Sequence, residues 1–170
     1  FSSQWDTGNN RELGWTARVA DWKLRMRGPA ISYVYDLDTV RDRARSLKSI
    51  KSLDRVLYAM KANFNADILG AVDTEGVDFE CVSPGEVAWL REVLPELDTS
   101  RILFTPNFAP RDEYEWGIQQ GLQVTLDNLF PIRRWPEVFA GAELFVRLDP
   151  GQGRGHHEHV KTAGVHSKFG

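Results

Sequence analysis

Cysteine is all but absent: the 170 residues hold one, Cys81. A lone thiol closes no internal disulfide, which excludes the disulfide-stapled secreted scaffolds and suits a reducing, cytoplasmic compartment. An excess of charge is missing too. With 21 Lys and Arg against 24 Asp and Glu, the formal net charge is −3, and no run of five like charges occurs. Neither a nucleic acid nor an anionic membrane surface is therefore expected as a partner. Long apolar runs are lacking as well. The longest uncharged apolar stretches, such as 30–35 and 56–60, fall far short of the ~20 residues a membrane helix needs, and no apolar signal region follows Phe1.

What is present is ordinary for a soluble chain, 42% hydrophobic and 26% charged. At this length roughly 70% of the unfolded surface can be buried, enough for one core. The chain starts at Phe1 and stops at Lys168-Phe169-Gly170 without a closing helix, so a piece of a longer protein is expected. Residues 1–28 are polar, carry Trp5, Trp15 and Trp22, and end at Gly28-Pro29. They read as a leader or linker, with a short helix over 17–27. Residues 29–170 form the domain.

From Ala30 onward the pattern alternates between strand and helix. Strands are expected at 31–35, 55–60, 77–82, 101–105, 122–126 and 142–148, and helices at 38–50, 65–74, 84–93, 110–120 and 127–138. Asp38 is expected to cap the first helix, with Val40, Ala44, Leu47 and Ile50 on its inner face. Pro84 suits the first turn of the third. The tryptophans Trp22, Trp89, Trp116 and Trp135 are expected to pack inward. Such alternation implies an α/β architecture of parallel strands joined by right-handed crossovers. An open doubly wound sheet would place a Gly-x-Gly-x-x-Gly turn after its first strand. Neither Tyr35-Asp-Leu-Asp38 nor Lys61-Ala-Asn-Phe64 supplies it. A (β/α)8 barrel normally takes about 250 residues, so the expectation is a partial barrel.

Lys61 ends the apolar strand 55–60. Barrel chemistry is built from such strand ends and the loops after them. An amine desolvated there would have a lowered pKa, and a neutral amine is what attack on an aldehyde requires. Position alone favours a lysine snorkelling out of a strand end, since surface lysine is the rule.

The surrounding residues decide between the two. Tyr58-Ala-Met-Lys-Ala-Asn63, followed by Ile68-Leu69, Val72 and Gly76, resembles the pyridoxal-phosphate attachment signature of the fold-type III decarboxylases, which act on ornithine, arginine and meso-diaminopimelate. Phe79-Glu-Cys-Val-Ser-Pro-Gly-Glu-Val87 is similar to the next strand end of the diaminopimelate-type members, with Pro84 replacing the first of two glycines. Phe145-Val-Arg-Leu-Asp-Pro150, with His157, Thr162 and Ser167-Lys-Phe-Gly170, resembles their loop after the fifth barrel strand, with Asp149 where Asn is usual. The resemblance runs from about Ala30 to Gly170.

It implies a TIM barrel of the alanine racemase-like type, with about five of eight strands present and the C-terminal β domain absent. Pyridoxal 5'-phosphate would be the cofactor, Lys61 the catalytic lysine that carries it, Glu80 a cofactor-binding neighbour, and Ser83 and Gly85 the shapers of the turn into the next helix. The activity implied is decarboxylation of meso-2,6-diaminopimelate to L-lysine and CO2, the last step of lysine biosynthesis. The alternatives are a decarboxylase of ornithine or arginine, or a non-catalytic cofactor-binding or regulatory homologue. A homodimer is implied for the complete enzyme. Beyond Gly170 would come the ring-stacking histidine, the glycine-rich phosphate loop, the carboxylate facing the pyridine nitrogen, the substrate-holding arginines and tyrosine, and a cysteine supplied across the dimer. The polar leader suits a linker behind an aspartate kinase, to which this activity is fused in some bacteria.

Three other features are assigned no chemistry. Pro150-Gly-Gln-Gly-Arg-Gly155 is followed by no helix, so it reads as a loop and not a nucleotide cradle. His156, His157, Glu158 and His159 lack a second ligand group and a helical His-Glu-x-x-His spacing, so no metal is expected. Cys81 reads as a small buried residue at a strand end.

Overall fold

The computed structural model describes residues 33–149. The chain divides into two compact units, Phe1–Val34 and Tyr35–Gly170, and the elements below belong to the second.

Helix α1 (Leu37–Lys48) is capped by Asp36, whose carboxylate accepts from the N–H groups of Asp38 and Thr39 at 3.2 and 3.3 Å. The cap thus stands two residues before the expected Asp38. Extended backbone at Asp36 aims its side chain at the free N–H groups, and Asp38 falls in the first turn, where its charge faces the positive helix end. Of the expected inner face, Ala44 is buried and Val40 packs on the core, but Leu47 and Ile50 are exposed. The helix ends at Lys48, so Ile50 lies beyond it, while Leu47 in the last turn faces away from the core. Of the strand expected at 31–35, Tyr33, Val34 and Tyr35 form no strand, and 31–32 lie outside the described residues.

Four strand–helix units then follow in order, and a fifth strand ends the series. They are β1 (Leu57–Ala59), α2 (Ala66–Thr74), β2 (Asp78–Cys81), α3 (Pro84–Val93), β3 (Ile102–Phe104), α4 (Arg111–Gln119), β4 (Gln123–Leu126), α5 (Phe130–Arg134) and β5 (Leu144–Val146). The helix expected over 127–138 is only α5 plus a tight turn at Pro136–Phe139. Pro136 drives Trp135 out of helical backbone, to φ −135° and ψ 55°.

All four strand pairings are parallel, and the spatial order is the chain order β1-β2-β3-β4-β5. A doubly wound sheet reverses direction partway; this one advances by one neighbour at each step, as an arc of a barrel does.

Burial alternates along the strands. Phe79, Cys81, Ile102, Phe104, Val124 and Leu126 are buried and pack with Leu69, Val72, Val87, Leu90 and Tyr114 of the helices. Asp78, Glu80, Leu103, Gln123 and Thr125 alternate with them and turn to the opposite face. At the amino ends of the strands that face is bound together by arginines. Arg55 donates to Asp78, Gln123 and the carbonyl of Ser100, and Arg101 to Asp78, Asp73 and the carbonyl of Val77. The carboxyl ends carry the residues of interest.

Candidate active site

β1 passes directly into a tight turn, Met60–Ala62, that contains Lys61. Met60 is fully buried against Cys81, with the two sulfurs 3.3 Å apart, and so anchors the turn. Lys61 is exposed, and among the described residues it makes no ion pair or hydrogen bond. The burial expected for its amine is not met by these residues. Tyr58 holds the far side of the turn by donating its hydroxyl to the carbonyl of Asn63 at 3.0 Å. Burial and the nearby Tyr35 raise the Tyr58 pKa, so the hydroxyl keeps its proton for that bond.

Glu80 lies in register with Ala59 on the neighbouring strand, two residues before Lys61. The expected pair therefore comes together at one end of two adjacent strands. Ser83 stands at the turn into α3, and Gly85 is the second residue of that helix. Ser83 is the N-cap of α3 and its Oγ accepts from the N–H of Glu86 at 3.2 Å; the Glu86 carboxylate in turn accepts from the N–H of Val82 at 2.8 Å. This is a reciprocal cap, and Pro84 occupies the first helical position, which needs no N–H donor.

A pocket of about 420 Å3 opens beside the turn, lined by Met60, Phe64, Ser83, Gly85, Glu86 and Trp89. Lys61 and Glu80 are not among its walls. The pocket's lining is largely apolar, and its Glu86 carboxylate is already engaged in the cap. Trp89 is not packed inward as expected: it is 37% exposed, and its indole N–H donates to the carbonyl of Phe64 at 2.8 Å. Trp116 does pack inward, edge-on to Phe104 at 5.5 Å. Trp22 lies outside the described residues, as do the glycine loop and histidine run of 150–159.

Sequence reasoning missed three polar features at this end. Asp127, just past β4, is 1% exposed and accepts from the Tyr114 hydroxyl at 3.1 Å and from the N–H of Phe108 at 3.2 Å. Phe108 sits in the left-handed region at φ 54°, so the buried carboxylate fixes a strained loop after β3. Arg147, just past β5, continues the ladder by donating its N–H to the carbonyl of Leu126 at 2.8 Å, and its guanidinium reaches Asn107 at 3.5 Å. The third is Thr125, whose Oγ1 is buried without a hydrogen-bond partner. An aspartate or arginine directly after a β-rich run was the available signal for the first two; nothing in the sequence marks Thr125.

These groups suit pyridoxal phosphate. An aldehyde needs a primary amine outside any ion pair, which Lys61 offers, and an anionic ring compound needs cations and donors, which Arg147 and the Thr125 hydroxyl offer.

Comparison with known proteins agrees. The model of the pyridoxal-dependent decarboxylase family's pyridoxal binding domain matches residues 37–170. Diaminopimelate decarboxylase of Methanothermobacter thermautotrophicus is 34% identical over 143 residues, covering 81% of this chain and 33% of that protein. The chain thus spans about a third of the length of the curated relatives it matches. Among solved structures, Helicobacter pylori diaminopimelate decarboxylase complexed with L-lysine superposes with a TM-score of 0.73 at 21% identity, over 89% of this chain and 39% of that one. The Paramecium bursaria Chlorella virus arginine decarboxylase bound to agmatine gives 0.66 at 19%, over 81% and 37%. At these identities the two structures speak for the fold alone.

Proposed function

Starting from the premise that the chain belongs to the pyridoxal-dependent decarboxylases by its pyridoxal binding domain, we propose that it serves the decarboxylation of meso-2,6-diaminopimelate to L-lysine and CO2, the last step of lysine biosynthesis. The observation that carries the proposal is the placing of Lys61 and Glu80 at the carboxyl ends of two paired strands. The substrate is favoured over ornithine or arginine by the 34% identity to a diaminopimelate decarboxylase.

Lys61 Nζ is the group that binds the cofactor's aldehyde carbon, held at the strand end by buried Met60 and the Tyr58 bond. When not so engaged, the same nitrogen would be a base able to hold a proton at that place. Glu80 brings a carboxylate to the level of Ala59 and so sets the charge beside the cofactor. Arg147 brings a cation to the opposite end of the arc, where it can face an anion. Bound pyridoxal phosphate supplies an electron-accepting ring for the electron pair left by the departing carboxylate.

We assign residues 1–28 to a leader and 29–170 to the N-terminal part of the barrel, in a complete protein that is a cytoplasmic homodimer. The family match over residues 37–170, and the third of the relatives' length that this chain covers, support the reading of 29–170 as part of the barrel.

Borohydride reduction of the complete, cofactor-loaded protein should leave a pyridoxyl label on the peptide around Met60-Lys61-Ala62, and Lys61→Ala should remove both label and turnover. Label on Lys48 or Lys51 would overturn the lysine assignment. CO2 release from meso-diaminopimelate should far exceed that from ornithine, arginine or lysine, because a site that pairs with a distal amino-acid group rejects analogues lacking it. Equal rates would leave the substrate with the other basic amino acids, and no release at all would leave a non-catalytic homologue.

A further inference from the structure

Thr125 is the third residue of β4, between buried Val124 and Leu126. Alternation turns it off the helix side, onto the face that carries Glu80 and Leu103, and it stands in register with Phe145 of β5. Its hydroxyl oxygen is the one side-chain polar atom among the described residues that is buried with no hydrogen-bond partner. A buried orphan carries a desolvation penalty, and in native proteins it marks a bound water or ligand. Packing alone gives no reason for the hydroxyl: valine has the same shape and suits a strand at least as well.

The place in the sheet says what the partner is. β4 stands three strands from β1 in an unbroken parallel arc. That is roughly 14 Å along a sheet with strands 4.8 Å apart, and less across a curved one. A lysine side chain carrying a phosphorylated pyridine ring spans such a distance. Thr125 also lies near the same carboxyl end as Lys61, Glu80 and Arg147, and away from the Arg55 and Arg101 network at the amino end.

We propose that the Thr125 hydroxyl donates a hydrogen bond to an anionic oxygen of pyridoxal phosphate held from Lys61. This rests on the reading of Lys61 as the cofactor lysine. Two oxygens of that chemistry exist, the ring phenolate and the phosphate.

The test is cofactor binding to the apo form of the complete protein, followed by the absorbance of the bound chromophore and not by turnover. Thr125→Val should weaken pyridoxal phosphate binding about tenfold, while Thr125→Ser stays within about twofold of wild type. The thermal midpoint of apo Thr125→Val should equal or exceed that of wild type, since the change removes an unpaired hydroxyl. If that midpoint falls, Thr125→Ala provides the same comparison. Pyridoxal without phosphate separates the two oxygens: a valine penalty that persists assigns the phenolate, and one that vanishes assigns the phosphate. Wild-type protein that binds while the valine and alanine variants bind equally well would overturn the proposal and leave the Lys61 reading intact. Wild-type protein that takes up no cofactor would overturn both.

Discussion

At the scale of single residues, Cys81 and Tyr114 are the most strongly perturbed among the described residues, and Cys81 bears on the more accessible pH range. Burial first, then the charges of Glu86 and Glu80, pushes its thiol up to about 12. An unfolded cysteine titrates near 8.5. Below that value both states keep the proton; between the two values only the folded state does, so stability falls as pH rises through the window. Tyr114 and Tyr58 are also raised and add the same trend above pH 10. Urea unfolding of the complete protein between pH 8 and 10 should therefore show a declining stability that Cys81→Ala flattens, apart from a constant offset for the lost volume. A decline of equal slope in both proteins would place its origin elsewhere. Cys81 was legible in the sequence as a buried strand-end residue, because apolar neighbours on alternate positions leave it no other place. Asp127 was not, because its burial depends on Tyr114, thirteen positions earlier, and on a strained loop after β3.

At the scale of elements, local rules governed the starts of helices and tertiary packing governed their faces. Ser83, Pro84 and Glu86 spell out the start of α3 within four positions, so sequence sufficed there. α4 shows the other case. Gly117 lies inside this helix, where Ala would normally stabilise by about 1 kcal/mol. A Cβ there would stand 2.8 Å from Cδ1 of Phe104 and 3.3 Å from Val124. The helix approaches β3 and β4 closely, and overpacking of that kind costs about 1–3 kcal/mol. Gly117→Ala should thus destabilise by up to about 2 kcal/mol, measured as a lower urea midpoint with unchanged slope. A stabilised variant would mean that the Phe104 ring moves aside freely. The same dependence on packing explains why Leu47 and Ile50, periodic with Ala44, are nevertheless exposed.

At the scale of the whole molecule, the arc formed by the described residues has five strands with β1 and β5 at its edges, and Phe145, Val146 and Leu148 are exposed at one of them. Unpaired parallel edges with apolar side chains invite association. A closed barrel removes edges. The 170 residues expressed by themselves should therefore aggregate or unfold at low denaturant, and should not release CO2 from diaminopimelate; size-exclusion chromatography and urea titration read the first, a CO2 assay the second. A soluble monomer that unfolds cooperatively and decarboxylates would refute the barrel-arc account and require a self-contained site. What ties the arc together at its amino end is also non-local: Arg55 links β1 to β2 and β4 through Asp78 and Gln123, positions 23 and 68 residues away.

The sequence by itself determined the alternation of strands and helices, their parallel sense, the strand-end lysine and the cap that follows β2, because each depends on periodicity or on residues within a few positions of one another. Only the tertiary structure decided that the strands lie in unbroken chain order and that Glu80 stands level with Ala59. The orphaned hydroxyl of Thr125 and the buried carboxylate of Asp127 likewise emerged only from the fold. These are properties of surfaces brought together across the sheet, and register and burial are fixed by contacts between residues that the chain holds far apart.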